Sequence, residues 1–209
     1  NNNPVSSQLI SSGTAICGGT TIASLAPIIN ARPELTAVAL TLVFLLNAVA
    51  LFIYPHIGLY LSLSQEQFGV WCALSIHDTS SVVATALIYG EESGAVATTL
   101  KLGRTLWLIP LLIVASVLQN RSSSRVQIPL FVILFVISAM IGSLVDFPVW
   151  FIDIVSFTSK ALLVLALYCI GSDITRNTLS ELKGRALIHG LLLWIIVAPT
   201  TLAVVVFLI

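Results

Sequence analysis

The sequence predicts an all-α polytopic membrane protein, and three observations support this prediction. Of the 209 residues, 57% are apolar and only 9% are charged, whereas a soluble domain carries roughly 25% charged residues to solvate its surface. The mean hydropathy is +1.05. The apolar residues form runs close to the length of about 20 residues that crosses a bilayer as a helix. This composition excludes a soluble or disordered chain. The zero net charge excludes nucleic acid as a partner.

Apolar segments divide the chain, and most of the charged residues lie in the links between them. We predict about seven membrane segments, with approximate bounds 7–30, 35–55, 68–90, 95–118, 128–145, 149–171 and 186–208. The links between these segments are too short to form a soluble domain, so we expect residues 1–209 to form a single transmembrane domain. The chain starts on Asn1 rather than Met and lacks the basic region of a signal peptide. We therefore expect it to be part of a longer protein.

Two of the segments differ from the others in carrying residues that weaken a helix. Segment 7–30 contains Gly18-Gly19, and segment 68–90 carries a polar run at 77–81. At membrane depth, interrupted backbone is tolerated only where protein or a water-filled cavity satisfies its hydrogen bonds. We expect both segments to be discontinuous or re-entrant.

The glycines of the first segment suggest a site for an anion. A half-helix that begins inside the bilayer directs its free N–H groups and the positive end of its dipole at an anion. Gly18, Gly19 and Thr20 are therefore candidate anion-binding residues. The alternative is that these small residues only allow close helix packing.

Three ionisable residues lie near the middle of their segments: His77, Asp78 and Lys160. Such residues are costly in a membrane unless they are paired or face water. They form either a structural ion pair between Asp78 and Lys160 or part of a substrate and proton pathway. The hydroxyls of Ser75 and Ser81 lie at a similar level. They are either further substrate ligands or ordinary helix–helix hydrogen-bonding groups.

Lys101 and Arg104 lie three residues apart and so share one helix face. Arg104 is a candidate bidentate ligand for an oxyanion, and the alternative is that both side chains extend to lipid headgroups. The remaining residues argue against other site classes. The histidines are scattered, the three cysteines sit in apolar runs, and neither HExxH nor GxSxG occurs. We therefore expect no metal, no cofactor and no enzymatic activity.

Basic residues also predict the orientation in the membrane. If segment 68–90 is re-entrant, six Lys and Arg residues of the links share one side: Arg32, Arg121, Arg125, Arg176, Lys183 and Arg185. The positive-inside rule then places that side in the cytoplasm. The links after the fourth and sixth segments are expected to be cytoplasmic.

Several stretches, in order, resemble the YeiH-like sulfate exporter family of bacterial inner-membrane proteins. The matching stretches are residues 13–29, 75–84, 101–104, 128–131, 159–163 and 171–194. The family is similar to the cation/proton antiporter and bile-acid transporter superfamily, whose members use inverted repeats and crossing broken helices. The resemblance implies an inverted-repeat transporter fold, of which this chain is the C-terminal part. It also implies a multi-pass location in the bacterial inner membrane, with the two irregular segments lining a midplane site.

The resemblance and the residues together predict a secondary transporter that exports a small oxyanion, sulfate or an organosulfonate, in exchange for protons. Its substrate-binding residues are Gly18, Gly19, Thr20, Ser75, Ser81, Arg104 and Lys160, and its proton-coupling residues are His77 and Asp78. One alternative is a cation/proton antiporter that uses Asp78 and Lys160. The other is a structural membrane subunit without transport. The expected partners are a small anion, the lipid bilayer and, where the protein oligomerises, further copies of itself.

Overall fold

The computed structural model describes residues 4–118, 130–145, 147–173 and 185–209, and the only regular secondary structure in these ranges is helical. The helices are α1 (Pro4–Ala15), α2 (Gly18–Ile28), α3 (Pro33–Tyr60), α4 (Gln65–Ser75), α5 (Thr79–Tyr89), α6 (Glu91–Thr105), α7 (Leu108–Leu118), α8 (Leu130–Leu144), α9 (Val149–Asp173) and α10 (Arg185–Leu208). Within the described residues, three stretches are long and apolar enough to cross a membrane: Pro33–Tyr60, Glu91–Leu118 and Arg185–Leu208. The all-helical prediction is confirmed for this part of the chain.

Helix α4 and helix α5 form a hairpin that returns to the side from which it enters. Ser64 and Gln67 form a capping box that starts α4. The ring of Phe68, one turn into α4, stacks on Tyr89 at the end of α5 with ring centroids 4.0 Å apart. The Tyr89 hydroxyl also donates to the carbonyl of Leu63, just before α4. The entry and exit of this segment are therefore neighbours, and residues 76–78 form its tip.

Helix α1 and helix α2 form a second hairpin. A Cβ added to Gly13 would lie 3.1 Å from the side chain of Ile22. In a continuous helix nine residues span about 13 Å, so this proximity requires α2 to fold back along α1. Both irregular segments are interrupted, as the sequence predicted, and each folds back on itself as a helical hairpin.

The two hairpins pack against opposite halves of α3. Leu9 of α1 and Leu25 of α2 share a core cluster with Leu42, in the first half of α3. Tyr54, in the second half of α3, belongs instead to the cluster that contains Trp71 of α4. The hairpins therefore approach each other from the two ends of α3, and their tips meet near its middle.

Helix α6 runs parallel to α4 and brings its last turn to the hairpin tips. At the first turn of α6, the amide of Ser93 donates to the Gln65 side chain at the start of α4. The predicted segment 95–118 is interrupted at Leu106–Trp107, where the amide of Trp107 donates to the carbonyl of Arg104. After this turn α7 continues the segment and packs on α2.

Candidate functional site

The two hairpin tips touch through a backbone hydrogen bond. The amide of Gly18 donates to the carbonyl of His77 at 2.9 Å. A Cβ at position 18 would lie 2.4 Å from Val43 Cγ1 and 3.1 Å from His77 Cβ. A glycine is therefore needed at position 18 so that the two backbones can approach each other. Val43 of α3 packs against this contact.

The amino-terminal ends of α2 and α5 converge on the thiol of Cys17. Cys17 is the residue that precedes α2, and its Sγ lies 3.4 Å from Oγ1 of Thr79 in the first turn of α5. The same thiol donates to Oγ1 of Thr20 at 3.6 Å. Amides in the first turn of a helix have no acceptor within that helix. Gly19, Thr20 and Thr79 therefore present such amides close to a common point.

Asp78 caps α5 with its carboxylate. Its Oδ2 accepts hydrogen bonds from the amides of Ser80 at 3.0 Å and Ser81 at 3.3 Å. Asp78 itself is half-buried. The carboxylate thus balances the positive end of the α5 dipole, whereas Cys17 makes no side-chain cap on α2.

Side chains of α6 bind the carboxy-terminal ends of α1 and α4, the first helix of each hairpin. Arg104 Nη1 donates to the carbonyls of Ala73 at 2.6 Å and Leu74 at 3.0 Å in α4. Its Nη2 donates to the carbonyls of Ala15 at 2.6 Å and Thr14 at 3.5 Å in α1. One guanidinium therefore joins the two half-helices.

Lys101, one turn before Arg104 on α6, binds the tip of the α4–α5 hairpin. Its Nζ donates to the carbonyl of Ile76 at 2.7 Å, and its side chain is fully buried. The interpretation that Lys101 and Arg104 extend to lipid headgroups is therefore wrong. The last carbonyls of a helix lack N–H donors within it, and these two cations supply the donors.

A pocket of about 430 Å³ opens beside Arg104 and the α1–α2 tip. Its lining is apolar apart from this arginine and includes Ile16, Trp107, Pro110 and Leu111. Both Nη nitrogens of Arg104 already donate to carbonyls of α1 and α4, so the structure shows Arg104 binding the backbone, and its role as a ligand for an oxyanion stays a prediction.

His77 is held by Asn47 of α3. The Asn47 Oδ1 accepts from the amide of His77 at 3.0 Å and lies 3.2 Å from its ring Nδ1. Both residues are almost fully buried. Sequence reasoning missed Asn47, although it is the one amide in an otherwise apolar run at 42–53. It also treated Cys17 only as a small apolar residue.

The structure brings together most of the predicted site residues. Gly18, Gly19, Thr20, His77, Asp78 and Arg104 surround the two tips. Ser75 and Ser81 lie on either side of the α4–α5 tip and are buried, and the Ser75 hydroxyl donates to the carbonyl of Trp71 at 2.6 Å. Lys160 belongs to α9, but its side chain lies outside the described residues, so its predicted role is not tested. Among the described residues, no group of three His, Cys, Asp or Glu could hold a metal ion.

The charges at the tips are unequal. Two cations, Lys101 and Arg104, face one carboxylate, Asp78. Two amino-terminal and two carboxy-terminal helix ends also meet there, and their opposite partial charges of about half an elementary charge cancel. With both cations counted as charged, the described part of the site carries a formal excess of one positive charge.

Comparisons with known proteins support a membrane protein. The family model described as Conserved hypothetical protein 698 matches residues 4–190, and the chain belongs to that family. A UPF0324 membrane protein of Porphyromonas gingivalis is 47% identical over 94% of this chain. UPF0324 membrane proteins of Photobacterium profundum and Shewanella oneidensis are 42% and 40% identical over 94% and 98% of it.

The chain spans only part of these relatives. It covers 61%, 60% and 65% of the three proteins in the order given. No solved structure matches the chain. The relatives support a membrane protein, and their names state no substrate.

Proposed function

We propose that this protein is a secondary transporter that exports a small oxyanion, such as sulfate or an organosulfonate, in exchange for protons. The observation that carries the proposal is the excess positive charge where the tips of two re-entrant hairpins meet. A cation site needs the opposite balance, so the same observation favours an anion over the cation/proton antiporter alternative.

The order of elements supports an inverted-repeat transporter fold. In each half, a hairpin is followed by a long apolar segment: α1–α2 by α3, and α4–α5 by α6–α7. The hairpins enter from opposite ends of α3, so the second unit runs in the reverse sense to the first. Transporters built in this way place broken-helix ends at a midplane site.

The roles of the site residues follow from their positions. The first-turn amides of Gly19 and Thr20, with the Thr79 hydroxyl, bind the oxyanion oxygens. Lys101 and Arg104 provide the positive field, and Lys160 adds to it as a ligand. His77 and Asp78 exchange the coupled protons. The protein acts in the bacterial inner membrane as a multi-pass protein.

Transport by the full-length protein in liposomes tests the proposal. We expect labelled sulfate or taurine to accumulate only with a pH gradient, and Lys160→Ala to abolish the flux while the protein remains inserted. Arg32→Ala, at an exposed link residue, is the matched control and should transport normally. Flux that follows sodium or potassium and ignores both anions would support the antiporter. No flux of any ion would support a structural subunit.

A further inference from the structure

The contact between Asn47 and His77 determines which ring nitrogen of the histidine carries hydrogen. The backbone amide of His77 donates to Asn47 Oδ1 at 3.0 Å. A backbone N–H group only donates, so the Asn47 atom that faces it is the carbonyl oxygen and not the amide nitrogen. The ring Nδ1 lies 3.2 Å from the same oxygen. An amide oxygen accepts and never donates, so the hydrogen of this second bond belongs to Nδ1.

This contact is buried where the two hairpins meet. Asn47 and His77 are 1% and 2% exposed, so bulk water does not compete for either group. Asn47 lies between Leu46, which belongs to the core of the first hairpin, and Ala50, which belongs to the core of the second. A hydrogen bond is electrostatically stronger in such an interior than in water. The position of the Nδ1 hydrogen is therefore firmly held.

The charged groups that the described residues place at this tip do not replace Asn47 as the acceptor. Lys101 and Arg104 of α6 donate to carbonyls at the end of α4, and their side chains have no acceptor atom. Asp78 Oδ2 accepts from amides in the first turn of α5. The thiol of Cys17, on the other hairpin tip, lies against a hydroxyl of the same turn. The ring Nδ1 therefore keeps Asn47 as its partner.

We propose that Asn47 makes His77 a one-sided proton acceptor, which binds and releases its proton at Nε2 alone. The neutral ring with hydrogen on Nδ1 has its free lone pair on Nε2. A proton that binds there gives an imidazolium with one hydrogen on each nitrogen, and its release from Nε2 restores the same tautomer. The Nδ1 hydrogen stays in place, because the amide oxygen of Asn47 is not a base at physiological pH.

This arrangement excludes a relay in which the ring takes up a proton at one nitrogen and releases it at the other. Asn47 is thus a positioning residue that acts through His77. The use of His77 in coupling rests on the proposed function, whereas the tautomer of the ring does not.

Nitrogen NMR of the full-length protein tests the tautomer without any transport. With the histidine ring nitrogens isotope-labelled, the His77 resonances are those that are absent from His77→Gln. At a pH of about 9, where an ordinary imidazole is neutral, we expect hydrogen on Nδ1 and none on Nε2. Free histidine in water favours the reverse. A His77 ring without hydrogen on Nδ1 would overturn the proposal, and this measurement needs no variant of Asn47.

Asn47→Leu removes the acceptor and keeps a side chain of similar size. We expect the population with hydrogen on Nδ1 to fall several-fold in this variant. Thr85→Val is the matched control, since it loses a buried hydroxyl that donates to the carbonyl of Ser81 within α5. It should keep the wild-type tautomer. An unchanged His77 ring in folded Asn47→Leu protein would show that Asn47 does not set the tautomer.

Transport gives a second readout, which also depends on the proposed function. In liposomes, we expect the anion flux driven by a given pH gradient to fall several-fold in Asn47→Leu, because the ring then exchanges protons at both nitrogens. Thr85→Val should match the wild type. Equal fluxes for the Asn47→Leu and wild-type proteins would contradict one-sided exchange. If the wild type itself carries no anion, the proposed function fails, and the NMR result still decides the role of Asn47.

Discussion

At Gly18 a single missing methyl group allows the two hairpin tips to touch. The Cβ of an alanine would overlap Val43 and press on His77, and such overpacking costs roughly 1–3 kcal/mol. We expect Gly18→Ala to lower the unfolding free energy by this amount and to lower the yield of folded protein. Gly103→Ala is the matched control, since its Cβ meets nothing within 4 Å. It should stabilise α6 by about 0.5–1 kcal/mol. Equal melting temperatures for the two variants would contradict the contact between the tips.

Asp78 has two separable tasks, the capping of α5 and the balance of charge at the tips. Asparagine also caps a helix through its side-chain oxygen, whereas alanine loses about 1 kcal/mol. We expect Asp78→Asn to melt like the wild type and Asp78→Ala to melt earlier. In liposomes, Asp78→Asn should lose the dependence of anion flux on the pH gradient, because it cannot release a proton. Flux of Asp78→Asn that still follows the gradient would remove Asp78 from proton coupling.

At the scale of elements, α6 holds both hairpins by donating hydrogen bonds to the carbonyls at the ends of α1 and α4. Arg104 binds four carbonyls of α1 and α4, which requires the planar fork of a guanidinium. We expect Arg104→Gln to cost about 2–3 kcal/mol in unfolding free energy, because charge-assisted hydrogen bonds are lost. Arg104→Lys keeps the charge but donates from one nitrogen, so it should recover less than half of this loss. Thermal melts with Arg32→Gln as control measure the difference, and full recovery by lysine would show that only the charge matters.

The sequence predicted the breaks in the hairpins but not the direction of the side chains around them. Gly18-Gly19 and the polar run at 77–81 weaken a helix, which is a local property of these residues, and the breaks fall beside them at residues 16–17 and 76–78. The partners of Arg104 are distant in sequence, 30 residues away for Leu74 and 89 for Ala15. A spacing pattern carries no information on such contacts. Asn47 was missed for the same reason, because its partner His77 lies 30 residues away.

Across the whole molecule, the two ends of α3 are surrounded by residues of different charge. The side at which α3 begins carries Arg32 and Glu34. Arg185 at the start of α10 lies on the same side, since Gly190 packs on Leu42 in the first half of α3. The side at which α3 ends holds the start of α4 and the turn between α5 and α6, which contribute only acidic residues: Glu66, Glu91 and Glu92. The net charge is therefore positive around the start of α3 and negative around its end.

This asymmetry predicts which side of the membrane each hairpin enters from. If both hairpins re-enter the membrane, the basic links before α3, after α7 and before α10 share one side, which the positive-inside rule predicts to be cytoplasmic. The α4–α5 hairpin then enters from the outside. With accessible native cysteines replaced by serine, we expect Glu92→Cys to react with a membrane-impermeant maleimide in intact cells. Glu34→Cys should react only after the cells are permeabilised. The reverse pattern would invert the topology, so that the α1–α2 hairpin with Gly19 and Thr20 would face the outside.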